Sequence, residues 1–286
     1  AAVASLCGGQ TPAAVLARAT SLFRAIPVGS LDPEDLKSSD SAEVSASSTA
    51  ATSAAAASST RDTHGRCSRP HPRPLLAARS TKALLGQVDA FMSHAWADEE
   101  VAPGRKFAAL KGWAASFEQS ERRPPKIWLD KACIAQDNIN ESLACLPCFL
   151  AGCRKLLVIA GESYTTRLWC VMEVSRPHRL CAPPALTHPC PLQVFTFLQM
   201  GGAVSNITVV PIGAERASVE AVKESFRAFR GEQAECFLAA DRHKLLGVIE
   251  ASFGDFREFD RLVRNVFEMR RSRTERFSVD LTSESV

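Results

Sequence analysis

From Leu84 onward, short apolar runs alternate with stretches whose apolar residues recur at helical spacing, and this alternation narrows the fold more than any other feature. Strands joined through helices need crossover connections, which lay the strands parallel in one sheet and cover both its faces. The runs are Val88-Asp-Ala-Phe-Met92, Lys126-Ile-Trp-Leu-Asp130, Lys155-Leu-Leu-Val-Ile-Ala160 and Ile207-Thr-Val-Val-Pro-Ile212, with residues 234–238 as a fifth, edge strand. Phe107, Leu110, Trp113 and Phe117 mark the helix after the first run, and Pro124-Pro125 stops it. Ile139, Leu143, Leu146 and Leu150 mark the next helix, with Pro147 as a kink. Helices over 218–230, 241–253 and 256–270 complete the pattern. The expected fold class is α/β, a three-layer arrangement with a short parallel sheet of four to five strands flanked by helices.

Residues 1–83 read differently. An amphipathic stretch at 13–26 precedes a Ser/Ala tract over 38–60 without apolar period and a Pro/Arg-rich stretch at 66–74. Such segments bury too little surface to offset chain entropy, so 30–80 reads as disordered linker and 271–286 as a disordered tail. The expected domain is therefore 84–270, and the lack of an initial Met makes the chain read as a fragment or a processed product.

Charge and cysteine usage exclude several classes. Lys and Arg number 34 against 31 Asp and Glu, and no long basic run occurs, so a nucleic-acid role has no support. No apolar stretch reaches the roughly 18 residues that span a bilayer, and no secretory signal is evident, so no membrane role is expected. Most of the ten cysteines, Cys145, Cys148, Cys153 and Cys170 among them, sit inside apolar runs as small buried hydrophobes. That usage fits a reducing, cytoplasmic setting. The pair Cys145-Leu-Pro-Cys148 has redox spacing but falls within a helical pattern, whereas a thioredoxin-like motif opens a helix after a strand.

In open parallel sheets, ligands bind outside the carboxyl ends of the strands. The polar residues gathered there are Ser93, His94, Trp96 and Asp98 after the first run, Asp130 and Lys131 after the second, and Ser163 after the third. The third run leads into Ser163-Tyr-Thr-Thr-Arg-Leu-Trp-Cys-Val-Met-Glu173, with Thr165 or Thr166 as an N-cap. Trp169 and Glu173, four residues apart, share one face of the helix. On burial habits alone Trp169 is a core anchor and Glu173 a solvated residue. The sharper reading stacks the indole on a planar ligand group while the carboxylate stabilises positive charge developing at a neighbouring carbon. His94 taken alone is a hydrogen-bonded loop residue more readily than a catalyst. No G-x-G-x-x-G, P-loop or G-x-S-x-G motif is present.

Residues 174–193 interrupt this helix with twenty residues, five of them proline, and no period. Without them, Leu168-Trp-Cys-Val-Met-Glu173 joins Val194-Phe-Thr-Phe-Leu-Gln-Met-Gly201 as one amphipathic helix closed by Gly201-Gly202 as its C-cap. The stretch begins Val-Ser and ends Leu-Gln, codon choices compatible with splice signals, and reads as a retained intron. The rival reading takes His178, Cys181, His188 and Cys190 as zinc ligands, but the spacing fits no common finger. No metal or cofactor is expected.

Asp89-Ala-Phe-Met-Ser93, Ile127-Trp-Leu-Asp130 and Leu156-Leu-Val-Ile-Ala-Gly-Glu-Ser-Tyr164 leading to Trp169-Cys-Val-Met-Glu173 together resemble the Toll/interleukin-1 receptor (TIR) domain, in its plant-type form. The W-C-x-x-E segment after a strand is the most specific part, and the match covers about 84–212. Trp128-Leu-Asp-Lys-Ala-Cys-Ile-Ala-Gln136 also looks like a segment of fungal heterokaryon-incompatibility domains. The resemblance implies a flavodoxin-like fold and a signalling role of the innate-immunity kind through self-association. In some members it implies hydrolysis of NAD to nicotinamide and ADP-ribose or its cyclic forms, with NAD as substrate rather than cofactor; other members act only as scaffolds. It places Glu173 on the catalytic glutamate and Trp169 on the stacking aromatic, with Ser93, His94, Trp96, Asp130 and Ser163 lining the site. The loop over 131–140 lacks the family's common glycine.

Overall fold

Strand β3, Val88–His94, is the centre of the molecule: all seven of its residues are buried, as a strand covered on both faces requires. The computed structural model describes residues 11–37, 76–134, 142, 144–166, 191–234, 243, 246–247, 249–250 and 254–268. Helix α1, Pro12–Leu22, is opened by Thr11, whose hydroxyl accepts from the Ala14 N–H, with proline in the first turn, where its missing donor is no loss. Strand β1 is Arg24–Pro27 and β2 is Thr81–Lys82. After β3 comes α2, Arg105–Glu121, then β4, Lys126–Trp128, α3, Leu146–Ala151, and β5, Cys153–Ala160. Helix α4, Pro191–Gln199, β6, Ile207–Pro211, α5, Arg216–Arg227, and α6, Phe256–Glu268, follow.

The six strands form one sheet in the order β2-β1-β4-β3-β5-β6. β4, β3, β5 and β6 are parallel, with Ala90 opposite Ile127 on one side and Lys155 on the other. Among these four, the first strand in the chain lies between the second and the third, which is the flavodoxin-like order, with its topological switch point between β3 and β5. The expected α/β architecture with flanking helices is thus present. Among the described residues, no helix is long and apolar enough to cross a membrane.

The expected domain start at Leu84 is corrected by the sheet itself. β1 pairs antiparallel with β4 through Ile26 and Ile127, and β2 pairs with β1. Phe23 stacks on Phe149, which touches Trp128, which stacks on Phe91 at 4.3 Å, so one aromatic column joins the N-terminal segment to the central strand. Four residues ending in proline carry no strand signal; their pairing with a distant strand makes the strand. The tract over 38–75, the tail from 269 and the bulk of the proposed insertion lie outside the described residues.

Local readings are refined in the same way. Pro147 stands in the first turn of α3, where proline is tolerated, and most of the expected helix before it, 139–141 and 143, lies outside the described residues. β4 ends at Trp128, and Asp130 opens a helical turn, Asp130–Cys133. α4 starts at Pro191, three residues inside the expected insertion, and ends as anticipated. Gly201 has φ 93°, its N–H bonds to the Leu198 carbonyl, and the Gly202 N–H bonds to that of Phe197, the paired bonds of a Schellman cap. Residue 234 follows a 3-10 turn, and 235–238, the remainder of the expected fifth strand, lie outside the described residues.

At the amino end of β3, the buried Asp89 accepts from both terminal nitrogens of Arg123 and from the Lys126 N–H at 2.9 Å. Burial pushes its carboxyl up, but the Arg123 guanidinium and the Lys126 N–H outweigh it and hold it below its ordinary value. A depressed carboxyl contributes stability above its ordinary pKa of 3.8 and loses it as pH falls through the lower folded value. Asp89→Asn is expected to cost about 1 kcal/mol near neutral pH and less at pH 3, because Arg123 is half exposed. Urea midpoints at the two pH values check this; an equal difference at both would refute it.

Candidate functional site

The carboxyl ends of β3, β4 and β5 bring together the polar residues singled out in the sequence, together with several that were not. His94 closes β3 and is 5 % exposed, its ring edge-on to Trp96 with centroids 4.4 Å apart. Its Nε2 lies 3.7 Å from Asp130 Oδ1, beyond hydrogen-bond reach, and among the described residues neither ring nitrogen has a partner. Burial, which outweighs the pull of Asp130, keeps the imidazole below its ordinary pKa and so neutral at pH 7. Asp130 accepts from the indole N–H of Trp96 at 3.2 Å and from the Lys131 N–H at 2.7 Å. Burial raises its carboxyl, but His94, the Lys131 N–H and the Trp96 N–H together hold it lowered and ionised.

A second group spans the switch point. Asp98, in the helical turn Asp98–Val101, is 2 % exposed and reaches across to the chain leaving β5. It accepts from the Gly161 N–H at 2.8 Å, the Ser163 N–H at 3.2 Å and the Ser163 hydroxyl at 2.7 Å. A Cβ on Gly161 would come within 2.3 Å of the Asp98 carboxyl carbon, so glycine is required there by close approach. The Ser93 hydroxyl lies 2.7 Å from that of Tyr164, in the 3-10 turn Tyr164–Thr166. Groups from the ends of β3 and β5 thus bond one another across the switch point. Thr165 and Thr166 fall in this turn, and Trp169 and Glu173 lie outside the described residues, as do His178, Cys181, His188 and Cys190.

Sequence reasoning missed Lys106. It stands in the first turn of α2, fully buried at 0 %, on the same face as Ala109, Leu110, Trp113 and Phe117. A lysine on an apolar helical stripe was the signal that could have found it. Its Nζ lies 3.4 Å from the Trp96 carbonyl, 3.5 Å from that of Leu36 and 5.4 Å from the Trp96 ring centre. Lys131 Nζ is also 5.4 Å from that ring and donates to the Lys37 carbonyl at 3.0 Å. Burial lowers the Lys106 pKa to about 8 against the pull of Glu99, Asp98 and Asp130, and burial lowers Lys131 as well. Glu99 accepts from the Gly104 N–H at 2.6 Å, and its carboxyl is raised, chiefly by burial.

The thiols are of another character. Burial pushes Cys133 up to about 12 and Cys153 well up, so neither is a thiolate near neutral pH. Cys145 immediately precedes α3 and Cys148 lies in its first turn. Among the described residues, no group of three or more His, Cys, Asp or Glu side chains is placed to hold a metal ion. No protein-family model, curated protein or solved structure matches this chain.

Proposed function

We propose that this chain is a TIR-like signalling module of the cytoplasm that hydrolyses NAD, with Glu173 as the catalytic carboxylate and Trp169 stacking on the nicotinamide ring. The observation that supports this reading is the strand order: it sets the end of β5 beside the end of β3 at the switch point, where ligands of such sheets bind. The segment carrying Trp169 and Glu173 leaves the sheet at that point, tied to it by Asp98 through Ser163. Cleaving the bond between nicotinamide and ribose passes through an oxocarbenium-like state. The C–N bond breaks with its electron pair leaving on neutral nicotinamide, a carboxylate beside the ribose stabilises the charge left on the sugar, and water then adds to the sugar carbon and gives up a proton to solvent. Ser93, His94, Trp96, Asp130 and Ser163 border the site in this reading and hold its walls rather than react.

A second reading, an adaptor that acts by self-association without chemistry, is favoured by a different observation. Ser93, His94, Trp96 and Asp98 are buried, and Ser93 and Asp98 are bonded to Tyr164 and Ser163, the state of groups that pack rather than meet a ligand.

The test is nicotinamide release from NAD by the concentrated full chain, beside Glu173→Ala. Release that falls by about a hundredfold to a thousandfold in the variant, the scale of losing one charge-stabilising group, is the expected result. No release from either protein, with both folded and self-associated, would sink the enzyme reading in favour of the adaptor.

A further inference from the structure

Residues 28–37 follow β1 as two 3-10 turns, Val28–Ser30 and Pro33–Leu36, and they lie over the lysines of the site. The Leu36 carbonyl accepts from Lys106 and the Lys37 carbonyl from Lys131. These turns therefore supply an acceptor to each of the two ammonium groups that flank Trp96. The 3.5 Å bond to Lys106 is long, and a buried ammonium held by long bonds to neutral carbonyls is poorly satisfied.

The turns are fastened from outside the cluster. Arg79, in the single helical turn Leu76–Arg79, donates to the Ser30 carbonyl and to Asp35 Oδ1, and its guanidinium lies 3.6 Å from Asp32 Oδ2. Arg79 and Asp35 are both largely shielded from water, where a charge-assisted pair is strong and the loss of one partner is felt. One arginine on a separate part of the chain thus holds three points of the same short segment.

We infer that residues 28–37, which start at the amino end of β4, where the Val28 N–H bonds the Pro125 carbonyl, and run back until Leu36 and Lys37 meet Lys106 and Lys131, form a strap, and that Arg79 is the clasp whose release bares Lys106, Lys131 and Trp96. The strap governs access to this group of two lysines and an indole, which is joined to the end of β4 by the bond from Trp96 to Asp130. The inference does not depend on NAD or on Glu173.

Trace labelling of the full chain with acetic anhydride, read lysine by lysine by mass spectrometry, tests the inference. In the native protein the fully buried Lys106 is expected to react far more slowly than the half-exposed Lys223. In Arg79→Ala, and again in Asp35→Asn, labelling of Lys106 and Lys131 is expected to rise about tenfold as the local opening becomes easier, with Lys155 and Lys223 unchanged. Unchanged protection of Lys106 in both variants would overturn the strap. Equal acceleration at Lys155 would overturn it too, since Arg79 would then be holding the whole fold.

Discussion

Asp98→Ala is expected to lower the unfolding free energy by about 3 kcal/mol, because the carboxylate is the acceptor for three donors on the chain leaving β5. The Gly161 N–H is buried and would be left without a partner, at about 1–3 kcal/mol. Ser163 is half exposed, so water replaces part of what its N–H and hydroxyl lose. For a chain of this size the loss corresponds to a fall in Tm of about 8 °C. Asp98→Asn keeps one acceptor oxygen and is expected to lose about half as much. The same bonds hold Gly161 and Ser163 at the switch point, so, if the chain hydrolyses NAD as proposed, nicotinamide release is expected to fall with Asp98→Ala at temperatures well below its melting point. A thermal melt within 2 °C of the native protein would show that Asp98 is not the tie described.

Lys106→Met is expected to act in the opposite direction, raising stability at pH 7 by about 1 kcal/mol, because the relief of a buried ammonium outweighs the loss of its attraction to Glu99, Asp98 and Asp130. The side chain is fully buried, its pKa is lowered from 10.5 to about 8, and methionine fills similar space without a charge to desolvate. The groups acting on it electrostatically are Glu99, Asp98, Asp130 and Lys131. Between about 8 and 10.5 the unfolded chain keeps the lysine proton that the folded chain has released, so native stability rises with pH across that window. Below about 8 both states hold the proton, and the folded state bears the full penalty of a buried ammonium. The gain from methionine should therefore be largest at pH 7 and shrink towards pH 10. Urea unfolding at pH 7, 8.5 and 10 measures it, and a difference that does not vary with pH would refute the assignment of the low pKa to Lys106.

These two residues show where sequence reading reaches and where it stops. Asp98 was legible as one of the polar residues after the first strand, since strand ends collect them. That it bonds Gly161 and Ser163 was not, for these partners lie 63 and 65 residues away. Lys106 sat in plain view on an apolar stripe, yet lysine is so seldom buried that its position reads first as surface. The strap was read as linker, because residues 30–37 carry neither helical nor strand period.

The sequence by itself determined the parallel strands, the helix spacing between them and the glycine cap after α4, because these follow from local periodicity and backbone preference within a dozen residues. Only the tertiary structure decided that β1 belongs to the sheet, that Asp98 closes the switch point, and that residues 28–37 cover two lysines. Each of these rests on contacts between distant segments: Leu36 meets Lys106 across 70 residues and Lys37 meets Lys131 across 94. No local pattern encodes such pairings; they form when the apolar column from Phe23 through Phe149 and Trp128 to Phe91 is buried and carries the N-terminal segment onto the sheet.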